Sequence, residues 1–175
     1  GLSVTIKGKL TGHTEAAGEN TVESVRLAVN QFLGKECEGS IERNLPDLPV
    51  RPPVLCAGCP HRASFYAVKM AAKGKKAVFS GDIGCYTLGN AMPLDMVDTC
   101  LCMGAVVTIA QGLHRIEPDS VNFAFIGDST FFASGITGVV NAVYNETDIV
   151  LIVLDNSTTA MTGHQPHPGT GKTMM

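Results

Sequence analysis

The chain has 175 residues, of which 45% are hydrophobic and 17% are charged. This composition predicts a folded core and excludes a largely disordered chain. A formal net charge of −3 without a basic block argues against binding to nucleic acid or to an anionic membrane. No apolar run reaches the ~18 residues of a membrane-spanning helix, and the first residues have no signal-peptide pattern. We therefore predict a cytoplasmic protein.

Residues 1–50 differ in pattern from the rest of the chain. Residues 4–7 are predicted to form a short strand. Asn20, followed three residues later by Glu23, predicts a capping box for an amphipathic helix that ends at Gly34. The apolar residues of this helix recur at helical spacing and are Val22, Val25, Leu27, Val29, Phe32 and Leu33. A Pro-rich connector follows, so we place a domain boundary at about residue 50.

After this connector, strand and helix patterns alternate. Short apolar runs predict three strands, at 77–80, 121–126 and 149–154. Helices are predicted from Pro60 to about Lys73, from Leu101 to about His114 and from Ser134 to about Tyr144. The last strand is almost wholly apolar, which is typical of a parallel strand covered by helices on both faces. The repeated order of strand, helix and strand predicts an α/β fold with a doubly wound, mostly parallel sheet.

Polar residues follow two of the predicted strands directly. Gly127, Asp128 and Ser129 come after one strand, and Asp155 and Asn156 come after the next. In open parallel sheets, ligands bind beyond the carboxyl ends of the strands. If these two strands are neighbours, oxygen atoms of Asp128 and Asn156 face each other and suit a magnesium diphosphate. An ordinary turn or helix cap would use the same residue types, and this alternative stays open.

Three longer motifs, together with Gly127 and Asp128, carry a resemblance to a known family. They occupy residues 56–62, 81–89 and 155–169. They resemble the large (alpha) subunit of indolepyruvate:ferredoxin oxidoreductase, a thiamine diphosphate enzyme. The resemblance is strong over residues 51–171. It implies that residues 51–175 are a thiamine diphosphate-binding domain truncated at its C-terminal end, and that residues 1–50 are the tail of a preceding domain plus a Pro-rich linker.

The resemblance also implies roles for individual residues. Mg²⁺ would be bound by Asp128, by the Asn156 side chain and by the backbone carbonyl of Thr158. The residues implied to contact the cofactor are Gly84, Cys85, Met103, Gly104, Gly127, Asp128, Ser129, Asn156 and Thr162. The Glu that activates thiamine diphosphate is expected in another domain. The isolated chain is therefore expected to bind the cofactor poorly and to be inactive.

Three cysteines are candidate iron–sulfur ligands. Cys56 and Cys59 form a CxxC pair at a predicted helix start, and Cys85 follows a predicted strand. Related 2-oxoacid:ferredoxin oxidoreductases resemble this arrangement, in which such cysteines hold three corners of a [4Fe–4S] cluster. Buried thiols, or contact of Cys85 with the cofactor, are the alternatives. The other cysteines have no predicted chemistry: Cys100 and Cys102 are expected to pack, and Cys37 to be exposed.

Three histidines lie near these motifs. His164 and His167 follow the predicted metal ligands and would act either as an acid/base pair or as hydrogen bonders that order their loop. His61 lies in the first turn of a predicted helix. It is expected either to be a buried or phosphate-facing donor or to lie on the surface.

The resemblance implies an anaerobic oxidoreductase that uses thiamine diphosphate. It would oxidatively decarboxylate an aryl pyruvate, such as indolepyruvate, to the aryl-acetyl-CoA. The implied partners are the aryl 2-oxoacid, CoA, ferredoxin as electron acceptor, a smaller subunit of the same enzyme and further copies in an oligomer. Two alternatives stay open: another 2-oxoacid:ferredoxin oxidoreductase, and a non-catalytic scaffold or metal-binding module of the same fold.

Overall fold

The computed structural model describes residues 3–36, 46 and 49–170. The chain divides into two compact units, Gly1–Val50 and Arg51–Met175. That the first unit is the tail of a preceding domain stays a prediction. No helix in the described part of the chain is long and apolar enough to cross a membrane.

In its described residues, the first unit contains one long helix, α1 (Val22–Phe32). Its N-cap is Thr21 and not the predicted Asn20, because the Thr21 hydroxyl accepts a hydrogen bond from the Ser24 amide at 3.1 Å. The helix ends at Phe32, and the predicted stop residue, Gly34, follows it with a φ of +64° that favours glycine. The predicted strand at residues 4–7 is wrong. These residues are described and lack regular structure, since no neighbouring strand in the described part pairs with them.

The second unit is built on a parallel sheet with the order β1 (Ala77–Gly81), β2 (Val121–Gly127) and β3 (Val150–Leu154). Gly127 is in register with Leu154. Strands β2 and β3 therefore end side by side, and the residues after them leave the sheet at the same edge. The predicted α/β fold with a parallel sheet is confirmed.

Among the described residues of this unit, four α-helices accompany the sheet: α2 (Pro60–Ala71), α3 (Val106–Ile116), α4 (Asp128–Thr130) and α5 (Ile136–Tyr144). A π-helical segment, Phe131–Gly135, joins α4 to α5. Two predicted helix starts are wrong. Helix α3 begins at Val106 and not at Leu101, because Gly104 adopts a φ of +87° that no helix accommodates. The last helical run begins directly after β2, before the predicted start at Ser134.

Strand β2 is the centre of the core because both of its faces are covered. Phe125 points to one face, where its ring lies 4.7 Å from that of Phe65 in α2. Ala124 and Ile126 point to the other face, where they pack with α3. All four of these residues are fully buried, and burial of one such large side chain stabilises the fold by roughly 1.5–3 kcal/mol.

The outer edge of β1 is occupied by the segment that leads to the site. Asp98 donates its amide to the Phe79 carbonyl at 2.7 Å, and Gly81 donates to the Thr99 carbonyl at 2.8 Å. The chain therefore runs alongside β1 before it turns toward Met103. This pairing fixes where the 100–104 segment reaches the carboxyl end of the sheet.

Candidate functional site

A cavity of about 310 Å³ opens where the three strands end. Its walls come from the segments after β1, β2 and β3 and from Met103, and they are mostly apolar. The residues predicted to contact the cofactor line this cavity, Gly104 excepted: they are Gly84, Cys85, Met103, Gly127, Asp128, Ser129, Asn156 and Thr162. Thr158 also lines it. The structure thus brings these residues together, and their individual roles stay predictions.

Asp128 is a buried polar residue of this cavity wall. Its residue is 3% exposed, and its Oδ2 lies 3.0 Å from Nε2 of His167. Asp155, at the end of β3, lies close enough to Asp128 for the two carboxyl groups to interact.

The turn after β3 is held by its own side chains. The Ser157 amide donates to the Asp155 carboxylate at 2.7 Å, and the Thr158 amide donates to Asn156 Oδ1 at 3.1 Å. These bonds fold the turn tightly enough to place Ser157 at a φ of +57°. The Ser157 amide is the main reason why the pKa of Asp155 is lowered. The loop beyond is joined to α4 by a 2.7 Å hydrogen bond between the Ser129 and Thr159 hydroxyls.

The Tyr86 side chain packs directly against two glycines that line the cavity, Gly84 and Gly127. A Cβ atom at either Gly84 or Gly127 would overlap the Tyr86 ring. The Tyr86 hydroxyl donates to the Ile83 carbonyl at 3.0 Å, and burial raises its pKa. The sequence analysis missed this residue, although it lies within the 81–89 motif. Only the three-dimensional contact shows why both neighbouring positions are glycine.

Gly104 lies behind the cavity wall and not in it. Its amide donates to both carboxylate oxygens of Asp82, each at 2.9 Å. Asp82 is fully buried; burial raises its pKa, and the amides of Gly104 and Ile83 oppose that rise. A Cβ atom at Gly104 would overlap Ser134. The Asp82–Gly104 contact therefore fixes the backbone beside Met103, which does line the cavity.

The cysteines divide into two groups. Burial raises the pKa of Cys85, with a further contribution from the nearby Cys56 and Cys59 thiols, so these three lie near one another. In the described part of the chain, no three His, Cys, Asp or Glu side chains converge as ligands of a single metal ion. The expectation that Cys100 and Cys102 pack is wrong: both are exposed, because the segment that carries them precedes the helix start. Cys37 lies outside the described residues.

The three histidines have different environments. His61 is buried, which rules out the surface alternative, and its ring meets Tyr86 edge-on at 6.4 Å. Burial lowers the pKa of His61, and the charge of Asp128 opposes this effect. His164 is exposed. The His167 side chain is 4% exposed and hydrogen-bonded to Asp128, and its role as an acid/base group or as a loop-ordering hydrogen bonder stays a prediction.

Comparison with known proteins identifies this architecture. The family described as "Thiamine pyrophosphate enzyme, C-terminal TPP binding domain" matches residues 82–175. The chain belongs to this family. Asp128, Asn156 and Thr158, the residues predicted to bind Mg²⁺, lie within the part of the chain that this family matches.

Individual relatives agree with this membership. The chain is 46% identical, over 95% of its length, to indolepyruvate oxidoreductase subunit IorA from Archaeoglobus fulgidus. It is 47% identical, over 97% of its length, to the subunit of the same name from Methanothermobacter marburgensis. In both cases it spans 28% of the relative's length. The resemblance to indolepyruvate oxidoreductases is confirmed.

A solved structure shares the fold. It is 2-oxoglutarate:ferredoxin oxidoreductase from Magnetococcus marinus, determined with 2-oxoglutarate, coenzyme A and succinyl-CoA bound. The match covers 67% of this chain and 42% of that chain, with a TM-score of 0.56 and 21% identity. This likeness shows that the two chains share the α/β architecture.

Proposed function

We propose that residues 51–175 form the diphosphate-binding side of a thiamine diphosphate site in an indolepyruvate:ferredoxin oxidoreductase. The observation that carries this proposal is the register of Gly127 with Leu154, which brings Asp128 and Asn156 to one cavity. Membership of the thiamine pyrophosphate enzyme family and the names of the relatives support it. The other domains of the enzyme would complete the site and supply the activating Glu.

Each group in the cavity has its own task in this proposal. Asp128, the Asn156 side chain and the Thr158 carbonyl would bind Mg²⁺, which would neutralise charge on the diphosphate. Ser129 and Thr162 would bind diphosphate oxygens. Gly127 allows the main chain to approach the diphosphate closely, and Gly84, Cys85 and Met103 form the wall beside the rings. Bound thiamine diphosphate supplies the electron sink for decarboxylation of a 2-oxoacid.

The apolar wall supports an aryl pyruvate as the substrate. Ile83, Met103 and Met161 all line the cavity, and each is more than one-third exposed. Such side chains offer a deformable apolar surface to a flat ring, and Met in particular adapts its shape to its contacts. The acyl product would pass to CoA.

The cysteines would connect this site to the electron acceptor. Cys56, Cys59 and Cys85 would be three of the ligands of a [4Fe–4S] cluster, which would supply one-electron transfer. Their mutual proximity supports this role. Electrons would leave through the cluster to ferredoxin, in a cytoplasmic enzyme that contains a smaller subunit and forms oligomers.

The test uses the full-length subunit together with its smaller subunit. Thiamine diphosphate and Mg²⁺ should raise the apparent Tm, since a ligand at 1,000 times its Kd stabilises the native state by about 4 kcal/mol. Indolepyruvate, CoA and ferredoxin should give turnover. Failure of millimolar cofactor to shift the Tm would favour the scaffold alternative. Turnover with 2-oxoglutarate in preference to indolepyruvate would favour another 2-oxoacid:ferredoxin oxidoreductase.

A further inference from the structure

The His167 ring has a defined tautomer. The Gly169 amide donates to His167 Nδ1 at 3.1 Å, so Nδ1 carries a lone pair and the ring proton is on Nε2. Nε2 lies 3.0 Å from Asp128 Oδ2. The contact is therefore a hydrogen bond that His167 donates to the carboxylate. The two side chains are only 4% and 5% exposed, which shields this bond from competition by water.

The His167 ring is also held in place by its surroundings. It stacks on Phe132 with the ring centroids 6.3 Å apart and the planes 24° from parallel. Thr170 holds the backbone of this turn in place through two hydrogen bonds. Its hydroxyl accepts from the His167 amide at 2.9 Å and donates to the His167 carbonyl at 2.8 Å. A Cβ atom at Gly169 would overlap Phe132, so this turn lies directly against the helical run that begins at Asp128.

We propose that His167 is a positioning residue that fixes the Asp128 carboxylate for Mg²⁺ and, by the same bond, fastens its loop to the end of β2. This inference rests on the proposed function, in which Asp128 is a metal ligand. His167 does not line the cavity, and its Nε2 proton is committed to Asp128, so it acts through Asp128 and not on the substrate. Partners that hydrogen-bond a metal ligand commonly raise metal affinity about 10–100-fold.

The test compares three variants of the full-length enzyme. His167→Leu removes the donor. His167→Gln keeps an N–H at nearly the same reach. His164→Asn is the matched control, because His164 is an exposed histidine of the same loop at a φ of +58°, which Asn tolerates. The readouts are the Mg²⁺ concentration needed for thiamine diphosphate binding, measured by calorimetry, and hydrogen exchange of residues 158–170 in the cofactor-free protein.

We expect His167→Leu to raise the required Mg²⁺ concentration about 10–100-fold and to speed amide exchange in the 158–170 loop. His167→Gln should bring the required Mg²⁺ concentration and the exchange rate most of the way back to the wild-type values. His164→Asn should have the wild-type Mg²⁺ requirement and the wild-type exchange rate. Wild-type Mg²⁺ dependence in His167→Leu would overturn the positioning role, and wild-type exchange would overturn the fastening role. If the wild-type enzyme itself binds no cofactor, the proposed function fails, while the exchange measurement still decides whether His167 fastens the loop.

Discussion

The Tyr86 ring occupies the space that a Cβ atom at Gly127 would need. Tyr86 cannot easily move aside, because it is buried and its hydroxyl is bonded to the Ile83 carbonyl. The last residue of β2 must therefore be glycine if the sheet is to rest on this ring. Because Gly127 has no side chain, its main chain packs against Tyr86 and also lines the cavity.

Gly127→Ala should consequently destabilise the protein by about 1–3 kcal/mol, as overpacking of a close-packed interior does. It should also weaken thiamine diphosphate binding, because the backbone at the cavity has to shift. Gly112→Ala is the control: Gly112 lies in α3 with open space around it, and alanine there should stabilise the helix by up to about 1 kcal/mol. Thermal unfolding of both variants measures the difference. Equal Tm changes in the two would contradict the account of Tyr86.

Asp128→Asn should abolish Mg²⁺-dependent cofactor binding and leave the fold intact. Asn can still accept the hydrogen bond from His167, but it lacks the charge that holds a divalent cation. Asp148→Asn, at an exposed position, should have no effect. The affinity of each variant for thiamine diphosphate is measured by titrating the protein with the cofactor in the presence and in the absence of Mg²⁺.

Asn156→Leu should weaken cofactor binding in the same way as Asp128→Asn. The double variant should lose little more than either single variant, because both side chains serve one ion and their effects are not additive. Fully additive losses would indicate two separate binding contributions and contradict a shared Mg²⁺. Calorimetry on the three proteins distinguishes these outcomes.

Asp82→Asn should change how stability depends on pH. Burial raises the pKa of Asp82 in the folded protein, so the folded state holds this proton more tightly than the unfolded state does. The stability that this proton contributes is complete below the unfolded pKa of about 3.9 and is lost as the pH rises through the raised folded pKa. The Tm of the wild type relative to Asp82→Asn should therefore fall as the pH rises from about 4 to 7. A constant difference would contradict the raised pKa.

The sheet and the main cavity follow from local features of the sequence. Three apolar runs mark the strands, and each is followed at once by glycine or polar residues, so the strand ends are well defined. Because parallel strands separated by one helix tend to be neighbours, Asp128 and Asn156 could be placed at one site without any tertiary information.

The parts that escaped prediction depend on contacts between distant residues. The bond between Asp128 and His167 joins residues 39 positions apart, and no sequence period relates them. Helix α3 has an apolar and small-residue pattern from Leu101 onward, yet the amide of Gly104 is held by Asp82 of a different segment, so the helix starts later. Tertiary contacts of this kind override local propensity.

The cysteine proposal can be decided by iron analysis of the full-length enzyme prepared without oxygen. Cys59→Ala should remove one cluster's worth of iron and lower the broad absorption near ~400 nm that such clusters give. Cys102→Ser is the matched control, since Cys102 is exposed and does not belong to the group of Cys56, Cys59 and Cys85, and its iron content should equal that of the wild type. Oxygen should abolish the difference by destroying the cluster and oxidising its ligands. Unchanged iron in Cys59→Ala would show that these three thiols pack or contact the cofactor without binding a cluster.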